Sequence, residues 1–148
     1  MHFTTLFVLK GKEIDNLSLS QIEKLFEDRY CYCCGETTPM YRDWCDWFSI
    51  GGRWSDILKA KKGIHGEKSW CNEDEPVVEG QYSIVQISDL TEPIDSKMIF
   101  SIATLSDIYQ KNDDWYGGEV NEKKFNEILD NINNKKFDGV IALIDCHD

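Results

Sequence analysis

The segment Ile144-Asp145-Cys146-His147-Asp148 closes a run of apolar residues. On a strand, Asp145 and His147 share one face and Cys146 points to the other. A carboxylate and an imidazole at one strand end suit general acid–base work or part of a metal site. His2 leads the apolar segment at the other end of the sequence, and it joins them if the first and last strands pair. Asp145, His147 and His2 are therefore the candidate catalytic set. The same residues also read as a frayed end with a solvated histidine.

A second constellation lies at Asp43–Trp54, which holds three of the five tryptophans, a Gly-Gly pair and Arg53. Paired glycines let the backbone turn sharply or approach another group closely. The arginine fork suits phosphate or carboxylate, and tryptophan suits a half-buried recognising surface. Trp115-Tyr116-Gly117-Gly118 repeats the association of aromatics with flexible backbone. If the two turns converge, Arg53, Trp54, Trp115 and Trp47 are candidate ligand-binding residues for a ring that carries an anionic group. The alternative is a pair of ordinary turns bordered by core aromatics.

The six cysteines are clustered, at 31, 33, 34 and 45, with Cys71 and Cys146 apart. Cys31 and Cys34 with Gly35 form one half of a zinc ribbon. Cys45, Cys71 and His65 are available to complete it, so zinc is the candidate cofactor and Cys31, Cys34, Cys45 and Cys71 are its candidate ligands. Reduced thiols that behave as small hydrophobes are the alternative.

These groups need elements to hold them. Thr4–Lys10 reads as a strand. Ser20-Gln-Ile-Glu23 reads as a capping box, followed by a helix with Ile22, Leu25, Phe26 and Tyr30 on one face. Further strands are expected over 46–50, 81–87 and 98–104. Asn121 caps a helix whose Phe125, Ile128, Leu129 and Ile132 fall at i, i+3, i+4 and i+7. Val140–Ile144 is apolar on both faces and should be central in its sheet. The order predicts an α+β fold, with a mainly antiparallel sheet and two helices on one face. A ferredoxin-like core with insertions is the specific expectation, because it sets the last strand antiparallel beside the first. The inserted loops are 31–44 and 61–79, within a single domain over 1–148.

Composition bounds the function. With 148 residues, 41% of them hydrophobic, the chain fits one domain with a real core. No apolar run spans a membrane and no basic-then-apolar start marks a secretory signal. The expectation is a cytoplasmic protein with no membrane partner. The 16 basic and 27 acidic residues give a net charge of −11. That charge opposes direct nucleic-acid binding and suits either plain solubility or a basic protein partner.

Together, His2-Phe3-Thr4, the Trp44–Trp54 segment ending in Gly51-Gly52-Arg53-Trp54, Trp115-Tyr116-Gly117 and Ile144-Asp145-Cys146-His147 resemble a family of small phage and prophage proteins. The likeness spans the whole chain. It departs from the family pattern by the inserted Cys45 and by the cysteine-rich stretch 31–34. The resemblance implies one domain of phage-related origin in a bacterial cell, and it brings no activity and no catalytic residues with it. Two functions are expected from the whole. The first is a pocket for a small anionic, nucleotide-like ligand, which is sequestered or processed against host defence. The second is an acidic inhibitor without catalysis, which binds a basic host protein such as a nucleic-acid-binding defence component and uses the 61–79 excursion.

Overall fold

A computed structural model describes residues 1–31, 45–111 and 119–147. In chain order the elements are β1 (His2–Lys10), α1 (Leu19–Tyr30), β2 (Trp47–Gly52), β3 (Leu58–Lys59), β4 (Glu67–Lys68), β5 (Gln81–Tyr82), β6 (Ile84–Gln86), β7 (Ser101–Ala103), β8 (Ile108–Gln110), β9 (Glu119–Val120), α2 (Glu122–Asn133) and β10 (Gly139–His147). Among the described residues, no helix is long and apolar enough to cross a membrane.

The fold is α+β, with one large mixed sheet in the order β4-β2-β10-β1-β7-β8-β9. β10 and β1 form its centre and pair antiparallel along their full length, from His2 opposite His147 to Lys10 opposite Gly139. The other edge of β10 is shared. β6 pairs with Val140–Ala142 and β2 with Ile144–His147, both antiparallel. β7 runs parallel to β1 and antiparallel to β8. β3 and β5 form a separate short ribbon.

The first and last strands are thus antiparallel neighbours, as a ferredoxin-like core requires. The helices, however, lie on opposite faces of the sheet rather than on one. α1 buries Ile22, Phe26 and Tyr30 against Phe3, Phe7 and Leu9 of β1 and Val140, Ala142 and Ile144 of β10. α2 buries Phe125, Ile128, Leu129 and Ile132 against the alternate residues Leu6, Val8, Ile141 and Leu143. Successive strand residues face opposite sides. β1 and β10 are buried at nearly every position, so each of their faces needs its own cover.

Local chemistry sets the helix starts. Ser18, rather than Ser20, caps α1. Its hydroxyl accepts from the Gln21 amide, and the Gln21 side chain accepts from the Ser18 amide, which makes a reciprocal box two residues earlier than expected. α2 starts where expected, with the Asn121 side chain accepting from the Lys124 amide at 2.9 Å.

Candidate functional site

The antiparallel register of β1 and β10, with β2 on the far edge, lines up three rings at one level of the sheet. His2 pairs with His147, and His147 with Trp47. Trp47 stacks on His147 with centroids 5.1 Å apart and planes 16° from parallel. His2 meets His147 edge-on at 4.9 Å. His147 Nδ1 is closed off from solvent and has no hydrogen-bond partner among the described residues.

Asp145 lies one step inward, and only 1% of its surface is exposed. A buried carboxylate must be satisfied on both oxygens. One oxygen accepts from His2 Nδ1 at 2.8 Å and the other from the Arg53 backbone amide at 2.9 Å. The second contact depends on Gly52, whose φ of +55° curls the end of β2 over the carboxyl group. A Cβ placed there would lie 2.3 Å from Asp145 Oδ2 and 2.6 Å from Ser49 Oγ. In the neutral imidazole, the tautomer that donates from Nδ1 to the carboxylate presents Nε2 as an acceptor. That is the arrangement of an oriented general base.

His2 and Thr4 line a cleft of about 370 Å³, together with Trp54, Lys97, Met98 and Lys111. β1 brings His2, the turn after β2 brings Trp54, the 3-10 turn Ser96–Met98 ahead of β7 brings Lys97, and the residue just after β8 is Lys111. Lys111 is held in place, donating to the Ser96 carbonyl at 2.6 Å and lying 5.7 Å over the Phe125 ring. Lys97 is exposed. The cleft therefore joins a carboxylate-backed imidazole, one indole and two ammonium groups. A larger cavity of about 430 Å³ beside α2 is lined by Lys10, Lys124, Tyr109 and Phe137 and has no buried acid–base pair.

Neither family models, nor curated proteins, nor solved structures match this chain. The site's chemistry is read from its own residues.

Those residues redistribute the roles read from the sequence. His2 and Asp145 come together as a dyad, and His147 packs beside them without sharing the carboxylate. Arg53 contributes its backbone amide; its guanidinium is exposed, has no partner among the described residues and does not line the cleft. Trp54 lines the cleft, whereas Trp47 covers His147 and is 44% exposed. Trp115 and Cys34 lie outside the described residues. Lys97 and Lys111 went unnoticed in the sequence, because a single lysine in a polar segment carries no signal until topology places it.

The thiols also divide. Cys31, Cys45 and Cys146 are buried together, and hydrogen bonds to Cys146 and Cys31, followed by burial, hold the Cys45 thiol protonated far above its usual range. Cys71 is exposed, with its sulfur 2.9 Å from the Ser69 hydroxyl, and it does not join them. Among the described residues, no group of three or more histidines, cysteines or carboxylates is arranged to hold a metal ion.

A further polar cluster ties the 61–79 excursion to the turn after β2. Asp56 has a φ of +61° and accepts from the Ser83 hydroxyl at 3.0 Å and the Gly66 amide at 3.0 Å; its other oxygen lies 2.9 Å from His65 Nδ1. Glu79 reaches His65 Nε2 at 3.2 Å. Burial lowers the affinity of His65 for a proton, but the bonds to Glu79 and Asp56 outweigh it and its pKa is raised. Ser83 bonds to the carboxylate rather than the imidazole and is fully buried, so the trio lacks the serine–histidine contact of a nucleophile. It is a fastening. Asn72 adds another, donating to the Gly52 carbonyl at 2.9 Å. The fastened excursion presents Trp70, 77% exposed, with Val77 and Val78 among Glu73, Asp74, Glu75 and Glu79.

Proposed function

We propose that this protein binds a small anionic ligand with an aromatic ring, of nucleotide type, in the His2–Trp54 cleft, and that His2 is the group able to move a proton there. The observation that carries the reading is the buried Asp145 carboxylate fixing His2 beside Trp54, Lys97 and Lys111. Trp54 offers a stacking face. Lys97 and Lys111 offer charge to a phosphate group, in the role first expected of Arg53. His2 Nε2 accepts a proton if the ligand is processed, and serves as a hydrogen-bond acceptor if it is only sequestered. A phage or mobile-element protein acting against host defence is the biological setting proposed for such a pocket, and a bacterial cytoplasm its location.

The test is calorimetric titration with purine and pyrimidine mononucleotides and cyclic dinucleotides. Losing a hydrogen bond to a charged group costs about 1.5–3 kcal/mol, so Lys111→Ala and Lys97→Ala should each weaken binding about tenfold or more. Asp145→Asn should abolish any turnover while leaving most of the affinity. Undiminished binding by both lysine variants would remove the cleft reading.

The second reading, an acidic inhibitor of a basic host protein, is favoured by one observation. The fastened excursion holds a largely exposed tryptophan in a segment that also exposes Glu73, Asp74, Glu75 and Glu79. Exposed tryptophans are common binding hot spots. Loss of host-directed function in Trp70→Ala, with full function in the lysine variants, would select this reading over the first.

A further inference from the structure

The three buried thiols take no part in the cleft, yet they are not packed as independent apolar groups. Cys31 is the C-cap of α1, and Cys45 leads into β2. The two residues are directly paired in a parallel β-bridge, supported by the Cys45 amide donating to the Tyr30 carbonyl at 3.2 Å. Paired residues of neighbouring strands have Cα atoms about 5 Å apart, inside the roughly 4.4–6.8 Å window of disulfides. Both side chains enter the same core cluster, and their thiols share a hydrogen bond. Cys146 also touches Cys45, but it stands in the middle of the sheet, in register with Phe3 and Phe48 rather than with Cys45. Its own thiol lies 3.5 Å from the Thr5 hydroxyl.

We propose that Cys31 and Cys45 are a redox site: they form a reversible disulfide that staples the end of α1 to the start of β2. The oxidant is a small disulfide of the glutathione class. Cys31, the more exposed of the two at 5% against 1%, attacks first as its thiolate. Its sulfur bonds to one glutathione sulfur, the S–S bond of the oxidant breaks, and one glutathione thiolate leaves. The Cys45 thiolate then attacks the Cys31 sulfur, closing the protein disulfide and releasing the second glutathione. The two thiol protons end on the two glutathiones, and the two electrons lost by the cysteines reduce the oxidant.

Burial makes the step slow. The thiolate is the attacking species, and the surroundings of Cys45 favour the thiol, so oxidation requires local opening of the bridge and speeds up as pH rises. Once closed, the bond removes freedom from the unfolded chain between residues 31 and 45. It also braces the strand that carries Trp47 and Gly52.

The experiment equilibrates the unsubstituted protein in glutathione buffers from fully reducing to fully oxidising, at mildly alkaline pH and with enough urea to allow opening. Peptide mapping without reductant follows, with thermal melting after the urea is removed. The expected result is a Cys31–Cys45 linked peptide, loss of two hydrogens per chain, a higher melting temperature, and full reversal by dithiothreitol. A Cys33→Ser, Cys34→Ser double variant should behave the same way, and Cys31→Ala should abolish the linked peptide. The proposal is overturned if Cys45 links to Cys146, if no link forms at equilibrium, or if native mass spectrometry finds zinc held through Cys31 and Cys45. The mapping needs no variant to fold, so each result bears on the proposal directly.

Discussion

Replacing Gly52 with alanine tests the arrangement of the site most directly. The new methyl group would fall 2.3 Å from Asp145 Oδ2 and 2.5 Å from Asp145 Cβ, on a carboxylate that is itself buried and cannot swing into solvent. Three costs combine. Alanine in the left-handed region is strained, the overpacked contact must be relieved, and the bond from the Arg53 amide to the carboxylate is stretched or lost. Typical magnitudes of these effects together suggest roughly 4 kcal/mol of lost stability, a large share of what holds most domains folded. Gly80 and Gly11 provide the control. Both have positive φ, of +94° and +77°, and a Cβ at either meets nothing within 4 Å. Alanine there bears the backbone strain alone, roughly 1–2 kcal/mol. Urea denaturation followed by tryptophan fluorescence would rank the three variants. Adding Asp145→Ala to Gly52→Ala should recover part of the loss, because the clash and the mutated partner are one interaction. A Gly52→Ala protein no less stable than Gly80→Ala would refute the claim that the end of β2 is fitted to the carboxylate.

Two further outcomes follow from packing and from charge. Leu129 is 4% exposed in the cluster under α2, so Leu129→Ala should cost about 2–5 kcal/mol in the same denaturation assay; a loss under half of that range would mean the helix seats differently. Glu23 has its pKa raised to about 7 by burial, by a hydrogen bond with Glu67 and by repulsion from Glu67 and Glu27. The folded chain then holds a proton that the unfolded chain releases above 4.5, so this group's stabilisation falls as pH rises from 4.5 to 7. His65, raised above 6.5, stabilises fully below that pH and ceases to do so as pH climbs through its folded value. Both effects make the protein more stable at pH 5.5 than at pH 8. Glu23 supplies about 1 kcal/mol of the difference after discounting for partial exposure, and Glu23→Gln should remove that share. An unchanged slope in Glu23→Gln would exclude the carboxyl pair as its source.

Periodicity made α2 legible. Its four apolar residues repeat at helical spacing, Asn121 caps them, and all four are buried. The run from Val140 to Ile144 likewise identified the centre of the sheet, and with it the approach of His2 to Asp145. The same run held the clue to the helix arrangement: a strand apolar on both sides needs two covers, so one helix per face was implied. The cap of α1 was ambiguous because Ser18 and Ser20 each precede a side chain able to complete a box. The cleft was less legible. Arg53 looked like the anchor because of its neighbours, but the turn consumes its amide and sends the side chain outward. Lys97 and Lys111 share a cleft with His2 because β7 lies beside β1, a long-range pairing that no local pattern announces. The Asp56–His65 fastening is hidden for the same reason, since its members are scattered over turns and held by a left-handed aspartate.

The pairing of β1 with β10 carries a consequence for how the molecule comes to exist. Its two central strands lie at opposite ends of the sequence; His2 and Asp145, joined by a hydrogen bond, are 143 positions apart. During synthesis β1 emerges before β10, with one edge that pairs with β10 and a face that packs in the cluster under α2. Contacts this distant in sequence slow folding, because a long loop must close before they contribute. Until β10 arrives, the exposed apolar strand is a liability toward other nascent chains. Expression of this protein should therefore be limited by the waiting time of β1, and a circular permutant that made β10 and β1 consecutive would shorten it without altering a contact in the sheet.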